Sequence, residues 1–492
     1  MPRPLIIFRA DGGRAIGAGH VMRSLAIASA FRDGGWSIGF AATEETFSSV
    51  AALDGWPLDR LVLEVDANEE AAAMRRHWPN GADVLVVDHY GRDVALEQGC
   101  RGWAGRIVVI DDLANRPHDA DILVDVANPP GAYSGLVPES CELLSGAEYA
   151  IVNETFRRTR QHALARRNGG PVERILVSFG QIDELNATSR ALAALTKAGF
   201  SGDIDVVLGH AAPHLRAVKA EARPQTRVHV DTGDMAALMT KADLAIGAGG
   251  VSALERCCLG LPSVLLTVAE NQRGIVAMLK KAGAAIDVGE VDHDIDRRLT
   301  ERLVVLFADR LQRVAMAHAG AKLVDGRGLE RVMFAAIGSV STKKGGAVSL
   351  RPATAADETR LLQLQTSRET RRYFRNFQVP TSSEHREWMH RTLNDSARLL
   401  VIIECDGVAV GMIRLDRLPG EHSLPHYEVS IAVEPGSKRH GIGMAALSLV
   451  RRLAPSAIFE ATIMPQNSAS ISLFSRSGFV FAGNHLYRSF PQ

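Results

Sequence analysis

The sequence predicts an α/β protein in which two Rossmann-like halves precede a smaller mixed α/β unit. Three observations carry this. Short β-rich runs alternate with amphipathic helical stretches, the composition turns polar and Gly-rich near residue 340, and a fresh set of strands begins after that point. At roughly 150 residues per domain, 492 residues exceed one ordinary core and suggest three folding units.

The first strands are read at Leu5 to Phe8, Ser37 to Ala41, Val84 to Val87, Ile107 to Ile110 and Ile122 to Val124. A second set follows the basic, Gly-containing stretch Arg166 to Gly170: Ile175 to Phe179, Ile204 to Leu208, Val228 to Val230, Leu244 to Ile246, Ser263 to Leu266 and Ala285 to Val288. The alternation with helices argues for parallel sheets, and the halves are expected at residues 1–165 and 171–337. Residues 338–347 read GSVSTKKGGA, the composition of a flexible linker. Residues 348–492 form the last unit, with strands at Val348 to Arg351, Leu399 to Cys405, Val408 to Leu415, Tyr427 to Val433 and Ile458 to Ile463.

Hydrophobic residues make up 46% and charged residues 23%, which excludes wholesale disorder and fibrous repeats. Lys plus Arg equals Asp plus Glu at 56 each, so no whole-molecule field holds nucleic acid or an anionic membrane. Five cysteines without a CxxC pair fit a reducing compartment. An apolar run of only four residues precedes Arg9, too short for a secretory signal, and the longest uncharged apolar stretch, Cys257 to Ala269, is too short for a bilayer. A cytoplasmic protein with no membrane or nucleic-acid partner is expected. The 16 histidines contain no HxxxH pair on a helix and no Cys/His cluster, so no metal is expected. Nothing in the sequence sets an oligomeric state.

After the first strand, RADGGRAIGAGHVMRSLAIASAF carries Gly17, Gly19 and His20 directly into a helix with Val21, Met22, Leu25, Ala28 and Phe31 on its apolar side. Glycines there let the backbone approach a ligand, the helix N-terminus offers free N–H groups to an anion, and His20 can act as a base or simply start the helix. The second half contains GAGGVSALERCCLGLPSVLLTVAENQ. Gly249 and Gly250 lead into a helix near Ser252 whose N-terminus can take a diphosphate, and Glu255, one turn in, can accept hydrogen bonds from a ribose diol. Gly-Gly-x-Ser-x-x-Glu followed by Gly-x-Pro and Asn-Gln is far more specific than a lone glycine pair.

With both motifs, residues 1–337 resemble the GT-B group of nucleotide-sugar enzymes, in particular the UDP-sugar hydrolases of pseudaminic acid biosynthesis. The residues carrying this are Arg9, Asp11, Gly17 to His20, Arg23, Asp88 to Gly91, Asp111 to Arg116, Ser178 to Gly180 and Gly249 to Gln272. The resemblance implies a UDP-linked trideoxy diacetamido sugar between the halves, with water displacing UDP from the anomeric carbon with inversion. It implies that His20 assists the water, Tyr90 and Asn271 line the sugar site, and Ser252 and Glu255 hold phosphate and ribose. Gly17, Gly19, Arg23, Gly180, Gly249, Gly250 and Gln272 are expected to line the substrate. Asp11 is expected to lie close enough to His20 to orient it, and Asp88 and Asp112, at strand C-termini, can contact ligand or serve as turn or cap residues. One departure stands out: Gln181 and Ile182 follow Gly180 where the family favours small residues, and a side chain at 181 can restrict backbone approach to the nucleotide.

In the last unit, HYEVSIAVEPGSKRHGIGMAALSLV runs from a strand ending at Val433 through Lys438, Arg439, His440, Gly441, Ile442 and Gly443 into a helix. Successive N–H groups at that turn form an anion cradle. Downstream, Asn467 starts a helix that Gly478 stops, and a last strand follows. Both pieces resemble the GNAT acetyltransferase superfamily, which implies acetyl-CoA as co-substrate and a splayed strand at Glu428 to Val433. The acid that reprotonates the thiolate is often a tyrosine in the Asn helix. That place is Phe474 here, so Tyr487 becomes the candidate acid, and Glu428 the candidate base or a solvent-facing carboxylate.

The leading expectation is therefore a bifunctional enzyme of pseudaminic acid synthesis. It acetylates the 4-amino group of a UDP-amino-6-deoxy sugar, then hydrolyses UDP-2,4-diacetamido-2,4,6-trideoxy-beta-L-altropyranose to UDP and free sugar. Two alternatives stay open: a GT-B glycosyltransferase fused to an acetyltransferase, or one unit serving only as a nucleotide-sugar or acetyl-CoA sensor.

Overall fold

The computed structural model describes residues 3–13, 16–374, 376, 378–419 and 424–491. They form two compact units, one of residues 7–26 and 39–329, the other of the described residues within 1–6, 27–38 and 330–492.

The larger unit is built on two sheets. The first comprises β1 (Leu5–Ala10), β2 (Ser37–Ala42), β3 (Asp59–Val62), β4 (Ala82–Asp88), β5 (Ala104–Ile110), β6 (Ile122–Asp125) and β7 (Glu142–Ser145), in the order β3-β2-β1-β4-β5-β6-β7. The second comprises β8 (Arg174–Ser178), β9 (Asp203–Leu208), β10 (Thr226–Val230), β11 (Leu244–Ala248), β12 (Ser263–Thr267) and β13 (Ala285–Glu290), in the order β10-β9-β8-β11-β12-β13, with every neighbouring pair parallel. Near-continuous apolar runs such as LVV in β4 and ILV in β8 suit strands covered by helices on both faces. In each sheet the order reverses beside the first strand, at β1/β4 and at β8/β11, and such switch points open a crevice at the strand C-termini.

The fold class read from the sequence is the one observed, and all eleven strands read in the two halves are present. The sequence reading missed β3 and β7, four-residue edge strands (DRLV and ELLS) in which only two adjacent residues are apolar, too short a run to detect. The helix Glu154–Ala165, assigned from sequence to the first half, packs against the helices Met235–Lys241 and Val251–Cys258 of the second. The basic stretch after it is buried at Arg167, which donates to the carbonyls of Met239, Ala242 and Leu259 at helix ends. One apolar cluster joins Val126, Ala147 and Phe156 to Leu176, Leu254 and Ile275, so the two sheets share a core.

The smaller unit carries a third sheet: β14 (Val340–Ser341), β15 (Ala347–Pro352), β16 (Arg398–Cys405), β17 (Val408–Arg417), β18 (His426–Val433), β19 (Ile458–Thr462), β20 (Val480–Gly483) and β21 (Leu486–Ser489), in the order β14-β15-β16-β17-β18-β19-β21-β20. All neighbours are antiparallel except β18 and β19, which pair in parallel only at His426, Tyr427 and Glu428. Beyond Glu428 the two strands part, which leaves Val429 to Val433 bonded on one side only.

Residues 338–347, expected as a flexible linker, contain a hairpin. Val340 and Ser341 pair with Val348 and Ala347, and Thr342 N–H donates to Gly346 O at 2.8 Å. Residues 27–38 also pack within this unit. Trp36 Nε1 donates to Arg452 O at 3.0 Å, Ser456 N–H donates to Gly34 O at 3.1 Å, and a Cβ on Gly34 would stand 2.5 Å from Leu453 O.

Candidate functional site

The loop after β1 is closed by reciprocal bonds between Gly13 and Gly17, at 3.1 and 2.8 Å, and feeds the helix Gly19–Gly34. A Cβ on Gly17 or Gly19 would meet nothing within 4 Å, so this backbone faces open space. His20 and Arg23, one helical turn apart, both reach Asp88 at the C-terminal end of β4. His20 Nδ1 lies 2.6 Å from Asp88 Oδ1, and Arg23 donates from Nε to Oδ2 at 2.8 Å and from Nη2 to Oδ1 at 2.6 Å. Asp88 is 0% exposed. Burial opposes its ionisation, but Arg23 and His20 outweigh burial and hold the carboxyl well below the usual range. An ionised carboxylate only accepts, so His20 Nδ1 carries the proton and Nε2 is the nitrogen able to take one.

Tyr90 meets the His20 ring edge-on at 4.4 Å, and its hydroxyl accepts from Asn271 Nδ2 at 3.0 Å. Burial, with the neighbouring Asp112, keeps the Tyr90 phenol protonated, and it donates to Asp112. Asp112 is itself shifted up, chiefly by burial. The structure thus brings His20, Tyr90 and Asn271 together, from the first switch point and from the loop after β12.

Three expectations are corrected. Asp11 does not orient His20: its Oδ1 accepts from Thr43 N–H at 2.9 Å and Thr46 Oγ1 at 3.1 Å, and its Oδ2 contacts Arg9 Nη1 at 2.9 Å and His89 Nε2 at 3.1 Å. The buried Arg9, clamped by Glu70 through two 2.8 Å bonds, draws Asp11 to this side. Arg23, expected to touch substrate, is buried and committed to Asp88, with Nη1 3.9 Å from Asp112 Oδ2. Asp88, for which ligand contact is one of two readings, is buried beneath His20.

At the second switch point Gly180 has φ +96, a left-handed conformation that favours glycine, with open space where a Cβ would project. Gln181 accepts from Gly209 N–H at 2.8 Å through its own carbonyl. Gly250 precedes the helix Val251–Cys258. Gln272 Oε1 accepts from Gly249 N–H at 3.3 Å and Val268 N–H at 3.2 Å, so this side chain braces the glycine loop against the exit of β12. Ser252 and Glu255 lie half-buried on that helix. The Glu255 carboxyl is pushed up to about 7 by burial, with Arg256 pulling the other way.

In the smaller unit the diverging β18 and β19 open a cleft of about 2100 Å³. Val433, Lys438, Arg439, His440, Gly441, Ile442, Gly443, Asn467 and Glu428 all line it. Gly441, at φ +87, caps the helix Ile442–Leu453, so its first-turn N–H groups face the cleft mouth. Asn467 Oδ1 caps the helix Ser468–Arg476 by accepting from Ser470 N–H at 3.1 Å. An anion cradle, a half-bonded strand edge for an amide-bearing arm and a basic rim fit a pantetheine diphosphate nucleotide.

Residues 348–480 match the family model described as an acetyltransferase (GNAT) domain. This part of the chain is a GNAT domain. In the same unit, beyond the matched residues, Tyr487, the expected acid, is not among the residues lining the cleft: β21 pairs it with Ala461 and its ring packs on Phe481 at 5.4 Å. Among the described residues the tyrosine that lines the cleft is Tyr373. The hairpin brings Lys343 and Lys344 to the rim beside Gly441, a contribution hidden in sequence by the linker-like composition.

The preceding region matches the spore coat polysaccharide biosynthesis protein SpsG of Bacillus subtilis, 26% identical over 66% of this chain and 95% of SpsG. It also matches the UDP-2,4-diacetamido-2,4,6-trideoxy-beta-L-altropyranose hydrolase of Campylobacter jejuni, 24% identical over 57% of this chain and 98% of the hydrolase. Among solved structures, MurG of Acinetobacter baumannii is 16% identical and covers 67% of this chain and 98% of its own, with a TM-score of 0.48. Among the described residues no helix is long and apolar enough to cross a membrane, and no group of three or more His, Cys, Asp or Glu is placed to hold a metal ion.

Proposed function

We propose that residues 1–337 hydrolyse a UDP-linked diacetamido sugar and that residues 348–492 make that substrate by acetylating the amino group of a UDP-amino-6-deoxy sugar. The observation that carries the first half of the reading is the His20–Asp88 pair at the β1/β4 switch point, bridged through Tyr90 to Asn271 of the nucleotide half. His20 Nε2 takes a proton from water as the water oxygen bonds to the anomeric carbon. The bond from that carbon to the diphosphate oxygen breaks, and UDP departs with the electron pair toward the N–H groups at the start of the helix Val251–Cys258. Asp88 stabilises the imidazolium that forms. In the GNAT domain the acceptor amine nitrogen bonds to the thioester carbonyl carbon, Glu428 takes the amine proton directly or through water, the carbon–sulfur bond breaks, and the departing CoA thiolate takes its proton from solvent water. The similarity of the preceding region to a UDP-diacetamido-trideoxy-altropyranose hydrolase and to a spore coat polysaccharide biosynthesis protein supports the nucleotide-sugar reading.

Incubation of the UDP-amino sugar with acetyl-CoA is expected to release CoA, free UDP and a reducing diacetamido sugar. UDP that appears only after a second sugar acceptor is added would overturn the hydrolase reading.

Glu255 makes nucleoside binding pH-dependent. Its free carboxyl sits near 7, and two hydroxyl donors of a ribose favour the ionised form, so binding releases a proton. Affinity therefore rises with pH up to about 7, by as much as about tenfold per unit, and levels off above it. Titration calorimetry with uridine, which keeps one charge state from pH 6 to 8, reads this directly, and Glu255→Gln should flatten the profile.

Lys343 and Lys344 add two exposed cations to the acetyl-CoA rim. Replacing both by alanine is expected to raise the acetyl-CoA KM about fivefold, two pairs of ~0.5 kcal/mol each, with kcat unchanged. The effect should shrink in molar salt. An unchanged KM at low salt would remove the hairpin from the site.

A further inference from the structure

Arg256, on the helix Val251–Cys258, is 0% exposed. Its guanidinium folds back beneath the end of β11. Nη2 donates to Ala248 O at 2.6 Å, and Nη1 stands 2.6 Å from where a Cβ would project on Gly247. Nε and Nη1 have no hydrogen-bond partner among the described residues. No carboxylate forms an ion pair with it there. Its sequence neighbour Glu255 is biased toward its neutral form by burial. Burial also lowers the guanidinium to about 10, which still leaves it charged at neutral pH.

A lone charge in a core is costly, and an apolar side chain of similar length would fill the same space without that cost. The guanidinium nevertheless lies beneath Gly247 and Ala248, immediately before the Gly249–Gly250 turn and the free N–H groups of the helix start. Those N–H groups and this charge favour an anion at the same place.

We propose that Arg256 is a buried counter-charge for the anion held at the Gly249–Ser252 turn, acting through the loop without touching the ligand. The diphosphate of the nucleotide, rather than a protein carboxylate, completes its ion pair. Arg256 is then a positioning residue that selects nucleoside diphosphates over nucleosides, and this rests on the nucleotide-sugar reading of the loop.

The test compares UDP with uridine. Arg256→Met is expected to fold with a thermal midpoint at or above that of the wild type. It should bind UDP at least about tenfold more weakly, the scale of one buried charge interaction, and uridine within about twofold of wild type. Arg256→Lys keeps a charge and should retain most of the UDP preference. Equal losses for UDP and uridine, or unchanged UDP binding, would overturn the inference. If Arg256→Met does not fold, the UDP-to-uridine affinity ratio of Arg256→Lys against Arg256→Gln decides the same question: preserved in the first and lost in the second, or the inference fails. A wild-type protein that binds neither UDP nor uridine would instead overturn the nucleotide-site reading beneath it.

Discussion

Replacing His20 by alanine is expected to slow UDP-sugar hydrolysis about a hundredfold to ten-thousandfold, the range of a positioned general base, while UDP affinity stays within about twofold. The separation follows from the architecture. His20 sits at the β1/β4 switch point, whereas the glycine turn, Ser252 and Glu255 belong to the β8/β11 side. Asp88 keeps Arg23 as its counter-charge when the imidazole is gone, so the fold should tolerate the change. Steady-state hydrolysis beside calorimetric UDP binding reads both quantities. A parallel loss of UDP affinity would make His20 a binding residue, and undiminished hydrolysis would remove it from the chemistry.

Asp88→Asn is expected to damage both rate and fold. An asparagine can present its N–H₂ to His20 Nδ1, which moves the imidazole proton to Nε2 and removes the base. A tautomer error of this kind costs about ten-thousandfold in the Ser-His-Asp enzymes. The same change takes the hydrogen-bonded carboxylate from the buried Arg23 guanidinium and leaves it only Asp112 at 3.9 Å, a loss of up to about 3–5 kcal/mol. The double variant Arg23→Leu with Asp88→Asn removes both charges and should recover much of that stability with no recovery of rate. Recovery of both together would mean that Asp88 serves only the fold.

The glycine loops were legible in the sequence because close backbone approach leaves few residue choices, and Gly17, Gly180, Gly250 and Gly441 each stand beside a proposed ligand path. The partners of the charged residues were not legible. Asp88 lies 68 residues from His20 and Glu70 lies 61 from Arg9, so only the strand order brings them together. Sequence proximity favoured Asp11 as the partner of His20, yet the Arg9–Glu70 clamp and the Thr43–Thr46 turn claim its oxygens. Tyr487 failed for a related reason: a strand register decides which tyrosine reaches a cleft, and composition does not encode it. The linker-like residues 338–347 form a hairpin because Val340 finds Val348 across a tight turn, a pairing of two short apolar signals that the surrounding Gly and Lys obscure.

The packing of residues 27–38 has a consequence for the order of events during synthesis. The Trp36 to Arg452 bond spans 416 residues of chain, and Gly34 meets Ser456 across a similar distance. The smaller unit therefore cannot finish assembling until its last helices and strands have left the ribosome, however early residues 27–38 emerge. Until then the Trp36 indole N–H lacks its carbonyl partner, and the backbone at Gly34 lacks the Leu453 to Ser456 segment that packs against it.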